Sequence, residues 1–296
     1  MGESGNAEMN PLSQAVISGL MMGTVYALLA TGLVIVYHTS QIMNIAHGEA
    51  YAVGGIVSAV MAGLSLPLWL ALAAGVAAAA AFAVALEWLM LRPRRDWSIN
   101  GLILVTLAVA FFMRGVLNLW VGADPLSFPR LVSGRALRIA GGALPPQGLL
   151  LIIVGLAAAL AVPLFLAATR PGRQLRAVAE NPDAAALMGV NVDRTRTMAF
   201  AVAGAYGALG AVLLVPLISV DFQSGLGMTM RGFIAAALGG MSPLPAVLCG
   251  VGLGLAEALV NTYLGALAQD PIVFLALIGV ALWQSRMIRF GGSLRA

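Results

Sequence analysis

The sequence predicts an all-α polytopic membrane protein: a helical bundle of about 8–10 transmembrane segments, some short or broken. Three observations carry this. Hydrophobic residues make up 60% of the 296 and charged residues only 9%, where a soluble domain carries roughly 25% charged. Mean hydropathy is +0.95. Apolar runs recur at the length a bilayer core of ~30 Å demands, about 20 helical residues. Residues 1–296 are read as a single transmembrane domain.

The runs follow in order. The first is Leu12–Tyr37, and the polar stretch His38–His47 ends it. The second is Gly48–Gly63. A third starts after Leu66-Pro67 and stops at Leu91, where Arg92-Pro93-Arg94-Arg95-Asp96 follows. Ile99–Trp120, Gly148–Ala168 and Thr197–Ser219 are the next three. A short piece near Gly227–Met241, a run near Pro245–Leu264 and a last one near Pro271–Met287 complete the chain. Short apolar runs can be re-entrant rather than spanning.

Charge sets the orientation. The chain contains no lysine, and its arginines cluster at 92–95, at 170–196 and at 286–295. Even numbers of runs separate these clusters, so all three fall on one face, the cytoplasmic one by the positive-inside rule. The N-terminus and the loop 122–147 then lie outside. The basic balance is explained by this topology, which leaves no reason to invoke nucleic acid. Glu3 and Glu8 precede the first run without any basic residue, unlike a cleaved signal peptide. The single cysteine, Cys249, reads as a packing residue. No Cys/His cluster offers a metal site. Gly19 with Gly23, Gly204 with Gly207 and Gly210, and Gly250 with Gly254 permit close approach between helices.

The longest strongly polar segment is 169–196. Arginine at the centre of a membrane helix costs about 2.5–3.5 kcal/mol, so a segment holding Arg170, Arg173, Arg176, Arg194 and Arg196 lies in water. It has local order. Asn181 can cap a helix that starts at Pro182, with Asp183 in its first turn. Ala184 to Met188 favour helix, and Gly189 stands where a left-handed residue ends one. Such a short helix, with Ala185, Leu187 and Met188 on it, either docks on another protein or is a solvated connector.

Polar groups inside apolar runs are the other candidates. Asn44, His47 and Glu49 lie within six residues beside Gly48. That reads as a broken helix lining a passage, or as an interfacial loop. Glu257 and Asn261 share one helix face, as do Arg114 and Asn118. Glu257 is read either as a structural pair between helices or as a group near the permeation path. Glu87 is expected to snorkel to the nearby boundary, and Arg114 toward the outside. His47 and Glu49 lack the nucleophile an intramembrane enzyme needs.

Four motifs, in order, resemble the branched-chain amino-acid permease family of ABC importers, the LivH type. They are Tyr26-Ala27-Leu28-x-Ala30-x-Gly32-Leu33, Asn44-x-Ala46-His47-Gly48-Glu49, the stretch Gly172–Asn191, and Gly239-Gly240 followed by Gly250-x-Gly252-x-Gly254-x-x-Glu257. The resemblance runs from Gly19 to Gly291. It implies a type II importer permease-like fold in a bacterial cytoplasmic membrane. It also implies a second permease chain, two cytoplasmic ATPase subunits and a periplasmic solute-binding protein. In its light Arg176, Glu180, Asn181, Asp183, Ala185, Leu187 and Gly189 belong to the coupling loop. Asn44, His47, Glu49, Glu257 and Asn261 belong to the substrate path. There is no Gly-x-x-x-x-Gly-Lys-Ser/Thr phosphate loop here, so no cofactor is expected on this chain, and ATP and Mg are handled by the partners. The rival reading is an ion-coupled secondary transporter with Glu257 or His47 as proton carrier.

Overall fold

Helix α1, Pro11–Ser40, is the post around which the others stand. Asn10 caps it by accepting the Leu12 N–H at 3.0 Å, and Pro11 occupies the first position. It ends where Gln41 turns left-handed at φ 57°. At 1.5 Å per residue its 30 residues span roughly 45 Å, longer than the hydrocarbon core. The computed structural model describes residues 10–94 and 96–268, and positions 271, 275, 278 and 279 beyond them.

After α1 the chain doubles back through a single 3₁₀ turn, Ile45–Gly48, into α2, Glu49–Gly63. α3, Leu68–Ala85, loosens into a π-turn over Leu86–Leu91 before the basic stop. α4, Ile99–Val121, is capped by Ser98. α5 is Pro146–Ala168. Two shorter helices follow, α6 over Arg170–Glu180 and α7 over Pro182–Leu187. α8, Val192–Leu214, returns through the bundle. α9, Ser224–Leu238, and α10, Pro243–Leu264, complete the described helices.

Seven helical segments in the described residues are long and apolar enough to cross a membrane. α9, with 15 residues, is the short piece expected near Gly227–Met241. The expected run Pro271–Met287 lies almost wholly outside the described residues. Contacts nevertheless show that residues 220–241 run from one end of the bundle to the other. Val220, just before it, pairs with Leu126 at the end of the bundle where α1 begins. Met241, just after it, accepts a hydrogen bond at 2.7 Å from His38 near the end of α1. Residues 220–223 supply the length that α9 lacks.

The loop 122–147 holds a hairpin that the all-helical expectation lacked. Strand β1, Leu137–Ile139, pairs antiparallel with β2, Gly142–Leu144. The two residues between them, Ala140 and Gly141, have φ 49° and 84°, the backbone of a tight two-residue turn. The Ser13 hydroxyl donates to the Ala140 carbonyl, and Gln14 accepts from the Ala143 N–H. The hairpin thus seals the start of α1. At the opposite end Arg92 pairs with Asp193, and Arg196 donates to the Thr39 carbonyl. The first two arginine clusters therefore share one end of the bundle, and the hairpin lies at the other.

α1 and α10 touch backbone to backbone. A Cβ on Gly254 would lie 2.2 Å from the Gly23 nitrogen, and one on Gly250 2.6 Å from the Ala27 nitrogen. Inserting side-chain bulk into a packed site costs about 1–3 kcal/mol, and here the obstructing atoms are backbone that cannot rotate away. Gly254→Leu is expected to lower both the thermal midpoint in detergent and the yield of monodisperse protein. Gly252→Ala, whose added Cβ meets nothing within 4 Å, leaves both unchanged. Equal behaviour of the two variants would remove this crossing from its structural role.

Candidate functional site

The polar turn is buried, and its polar atoms are met from two helices, α4 and α9. Asn44 caps it, its side-chain oxygen accepting the Ala46 N–H at 3.0 Å. Thr106 of α4 accepts the Ile45 N–H at 3.1 Å. Thr229 of α9 accepts the Gly48 N–H at 2.8 Å, and its hydroxyl lies 3.1 Å from both the Ile45 and the Gly225 carbonyls. Backbone that leaves the helix at membrane depth is thereby supplied by side chains rather than by water. His47 packs edge-on to Gly32, where a Cβ would come within 2.8 Å of the ring. Gly32 lies two turns inside the end of α1, so the turn sits roughly 12 Å in from that end.

Glu49 opens α2 and has no exposed surface. Arg114 of α4 meets its Oε1 with both Nε and Nη2 at 2.9 Å. Arg114 therefore turns inward to a carboxylate, and the expectation that it snorkels outward is corrected. The reason is energetic: an unpaired carboxylate in hydrocarbon is far costlier than an interhelical pair. The carboxyl group also lies flat against Gly225, where a Cβ would sit 2.5 Å from Cδ. Among the described residues, Glu49 Oε2 and His47 Nε2 are buried without a hydrogen-bond partner.

A second pair stands on the other face of α9. Arg231 Nε donates to both oxygens of Glu257 at 3.0 and 3.2 Å. The Tyr26 hydroxyl donates to Glu257 Oε2 at 2.6 Å, and the guanidinium lies over the Tyr26 ring at 6.0 Å. Glu257 is buried, while Asn261 one turn on is exposed. Both line a cleft of about 100 Å³ with Ser18 and Thr262. The structure thus gathers Asn44, His47 and Glu49 at one place, and Glu257 with Asn261 at another, with α9 between them.

Glu87, expected at the boundary, is also corrected. It is 2% exposed and accepts the Thr197 hydroxyl at 2.9 Å. It lies in the π-turn of α3, which faces α8.

In the segment 169–196 the short capped helix forms as its sequence suggests, whereas Pro171-Gly172, which reads as a turn, lies in the first turn of α6. Asn181 caps α7, accepting the Ala184 N–H at 2.9 Å, and Asp183 lies in the first turn. Gly189 has φ 83°; its N–H bonds to the Ala186 carbonyl and the Val190 N–H to that of Ala185. That pair of bonds is a Schellman ending. Ala185 points inward at 1% exposure, whereas Leu187 and Met188 stand at 91% and 74%. The outward apolar surface is therefore Leu187 and Met188, with Ala185 as the contact that seats the helix. Arg176 and Glu180 lie on α6 at the edge of a cavity behind it.

Sequence reasoning left Tyr26, Thr106, Thr229, Arg114 and Arg231 out of the candidate site. For the two arginines a signal existed: intramembrane charges come in opposite-sign pairs, and the apolar runs hold few. For the two threonines nothing in the spacing marked them.

With this geometry in place, the chain can be set beside known proteins. A family profile described as "Branched-chain amino acid transport system / permease component" matches residues 15–282. The LivH permease protein of the high-affinity branched-chain amino acid transport system of Escherichia coli K12 is 32% identical, over 91% of this chain and 92% of its own. BraD of Pseudomonas aeruginosa, described in the same terms, is 30% identical over 92% and 93%. A solved structure, PsaBC from Streptococcus pneumoniae in complex with Fab, superposes with a TM-score of 0.49 at 15% identity, covering 92% of this chain and 90% of that one.

The Glu49–Arg114 pair can be tested on stability alone. Arg114→Met strands a buried carboxylate, a loss of about 3–5 kcal/mol, read as a fall in the detergent unfolding midpoint. Adding Glu49→Gln is expected to restore most of it. Strictly additive losses across the cycle would show that the two side chains do not interact.

Proposed function

Because the chain belongs to the permease-component family of branched-chain amino acid transport systems, we propose that it forms the membrane passage of an ATP-driven importer for these or related small polar solutes. It is a multi-pass membrane protein. Its setting is the bacterial inner membrane, where it pairs with a second permease chain, like or unlike itself. Two cytoplasmic ATPase subunits hydrolyse ATP with Mg, and a periplasmic binding protein delivers the solute. This chain binds neither cofactor.

One observation carries the coupling role: α7 holds two large apolar side chains out into water on a helix capped at both ends. Exposed Leu187 and Met188 on so short an element suit an anchor entering a partner's pocket. Asn181, Asp183 and Gly189 set the ends of α7, Ala185 seats it, and Arg176 and Glu180 connect it to α6. A push on α7 reaches α8 directly, and Arg196 of α8 holds the end of α1 through the Thr39 carbonyl. Asp193 holds the end of α3 through Arg92. The movement is thereby delivered to the helices that enclose the polar turn. Asn44, His47 and Glu49 on one side of α9, and Glu257 with Asn261 on the other, adjust the passage as these helices rock.

The ion-coupled reading is the weaker one. Its carboxylate candidate, Glu257, is already held by Arg231 and Tyr26, and its other candidate, His47, is buried against Gly32. A proton carrier must give up such partners in every cycle.

Leu187→Asp is expected to abolish uptake and the co-purification of the ATPase subunits, while the chain still inserts and folds. Leu187→Met keeps both near the unmodified level. Full uptake and full ATPase recovery with Leu187→Asp would rule α7 out as the coupling element.

A further inference from the structure

A cavity of about 280 Å³ lies behind α6, at the end of the bundle that carries α7. Its lining is hydrocarbon at Ile35 of α1, Leu166 of α5 and Leu175 of α6, with His38 and Thr39 of α1 beside them. Its edge carries Arg176 and Glu180, one turn apart on α6. An arginine and a glutamate at that spacing can pair. Here they do not; neither has an ion-pair partner among the described residues, where the pairs are Arg92–Asp193, Arg114–Glu49 and Arg231–Glu257.

An unpaired cation and anion over an apolar pocket match one ligand chemistry: a small zwitterion with an aliphatic body. We propose that this cavity is a regulatory site for such a solute, its carboxylate on Arg176, its ammonium on Glu180 and its hydrocarbon on Ile35, Leu166 and Leu175. The volume lies just under the roughly 300–1,000 Å³ usual for small-molecule sites, which suits a solute of amino-acid size and not a two-chain lipid. The inference rests on the functional reading above, since branched-chain amino acids have this chemistry and would be released at this end. One wall of the cavity is α6; the others are α1, α5 and the start of α10. A bound solute fixes their separation. α6 runs through Asn181 straight into α7, so the occupied site holds the coupling helix still. Accumulated product thereby slows its own import.

The test uses the whole transporter with its ATPase subunits and binding protein, reconstituted into vesicles. Leucine preloaded at the α7 side is expected to slow initial uptake and ATP hydrolysis several-fold. Leu166→Phe, which fills the cavity, is expected to keep the rate in empty vesicles and lose the slowing. Arg176→Gln and Glu180→Gln are read by binding instead. Labelled leucine held by the solubilised transporter without its binding protein should weaken about tenfold in each. Uptake indifferent to preloaded leucine overturns the site while leaving the functional reading intact, as does slowing that survives Leu166→Phe. A phospholipid co-purifying in the cavity and displaced by Leu166→Phe, with leucine binding unchanged in the two polar variants, also overturns it. Failure of the unmodified transporter to take up any branched-chain amino acid overturns the functional reading itself.

Discussion

Helix α9 must satisfy polar groups on both of its faces at once, and the interior of the bundle is arranged around that requirement. On one face, Gly225 leaves room for the Glu49 carboxylate and Thr229 accepts the Gly48 N–H. On the other, Arg231 holds Glu257. No water is at hand in a bilayer core to relieve a missing partner. A shift of α9 along its axis therefore breaks bonds on both sides together. Two polar clusters that are far apart in sequence become one mechanical unit, with a 15-residue helix as its link.

That unit needs a rigid reference, and α1 provides it. Its contact with α10 is backbone on backbone, through Gly23 and Gly254. Contacts of this kind leave no side-chain freedom to absorb motion. Tyr26 and Glu257 sit within this seam and bond across it. The same helix meets the 169–196 segment at Thr39. α1 is thus tied to that segment and to α10 by hydrogen bonds and close packing rather than by a single flexible side chain.

Much of this was legible in the sequence, and the parts that were not share a cause. Run lengths and arginine clusters located the helices because hydrocarbon thickness and charge cost act locally. The caps at Asn181 and Gly189 were legible for the same reason. The hairpin was not: Ala140 is a poor residue for its left-handed position, and the turn is held instead by Ser13 and Gln14, over a hundred positions away. Arg114 and Glu87 were assigned to the boundary because each lies near a run's end. Their actual partners, Glu49 and Thr197, are 65 and 110 residues distant. Local spacing says that a buried charge needs a partner, not which one. The inward turn of Ala185 was likewise invisible, since a six-residue helix has too few positions to show a periodic face.

The retention of ionised pairs in a bundle this apolar has a physical explanation. Replacing a buried ion pair by packed hydrocarbon is often neutral or stabilising, so stability alone does not account for Glu49–Arg114 or Glu257–Arg231. What hydrocarbon lacks is direction. Apolar helices in lipid slide against one another at little cost, because lipid tails are as apolar as leucine. A guanidinium–carboxylate hydrogen bond has a fixed length and direction, so each pair holds its two helices in one register. A passage that must alternate between a few defined arrangements, without drifting among many, has use for such markers on each side of α9.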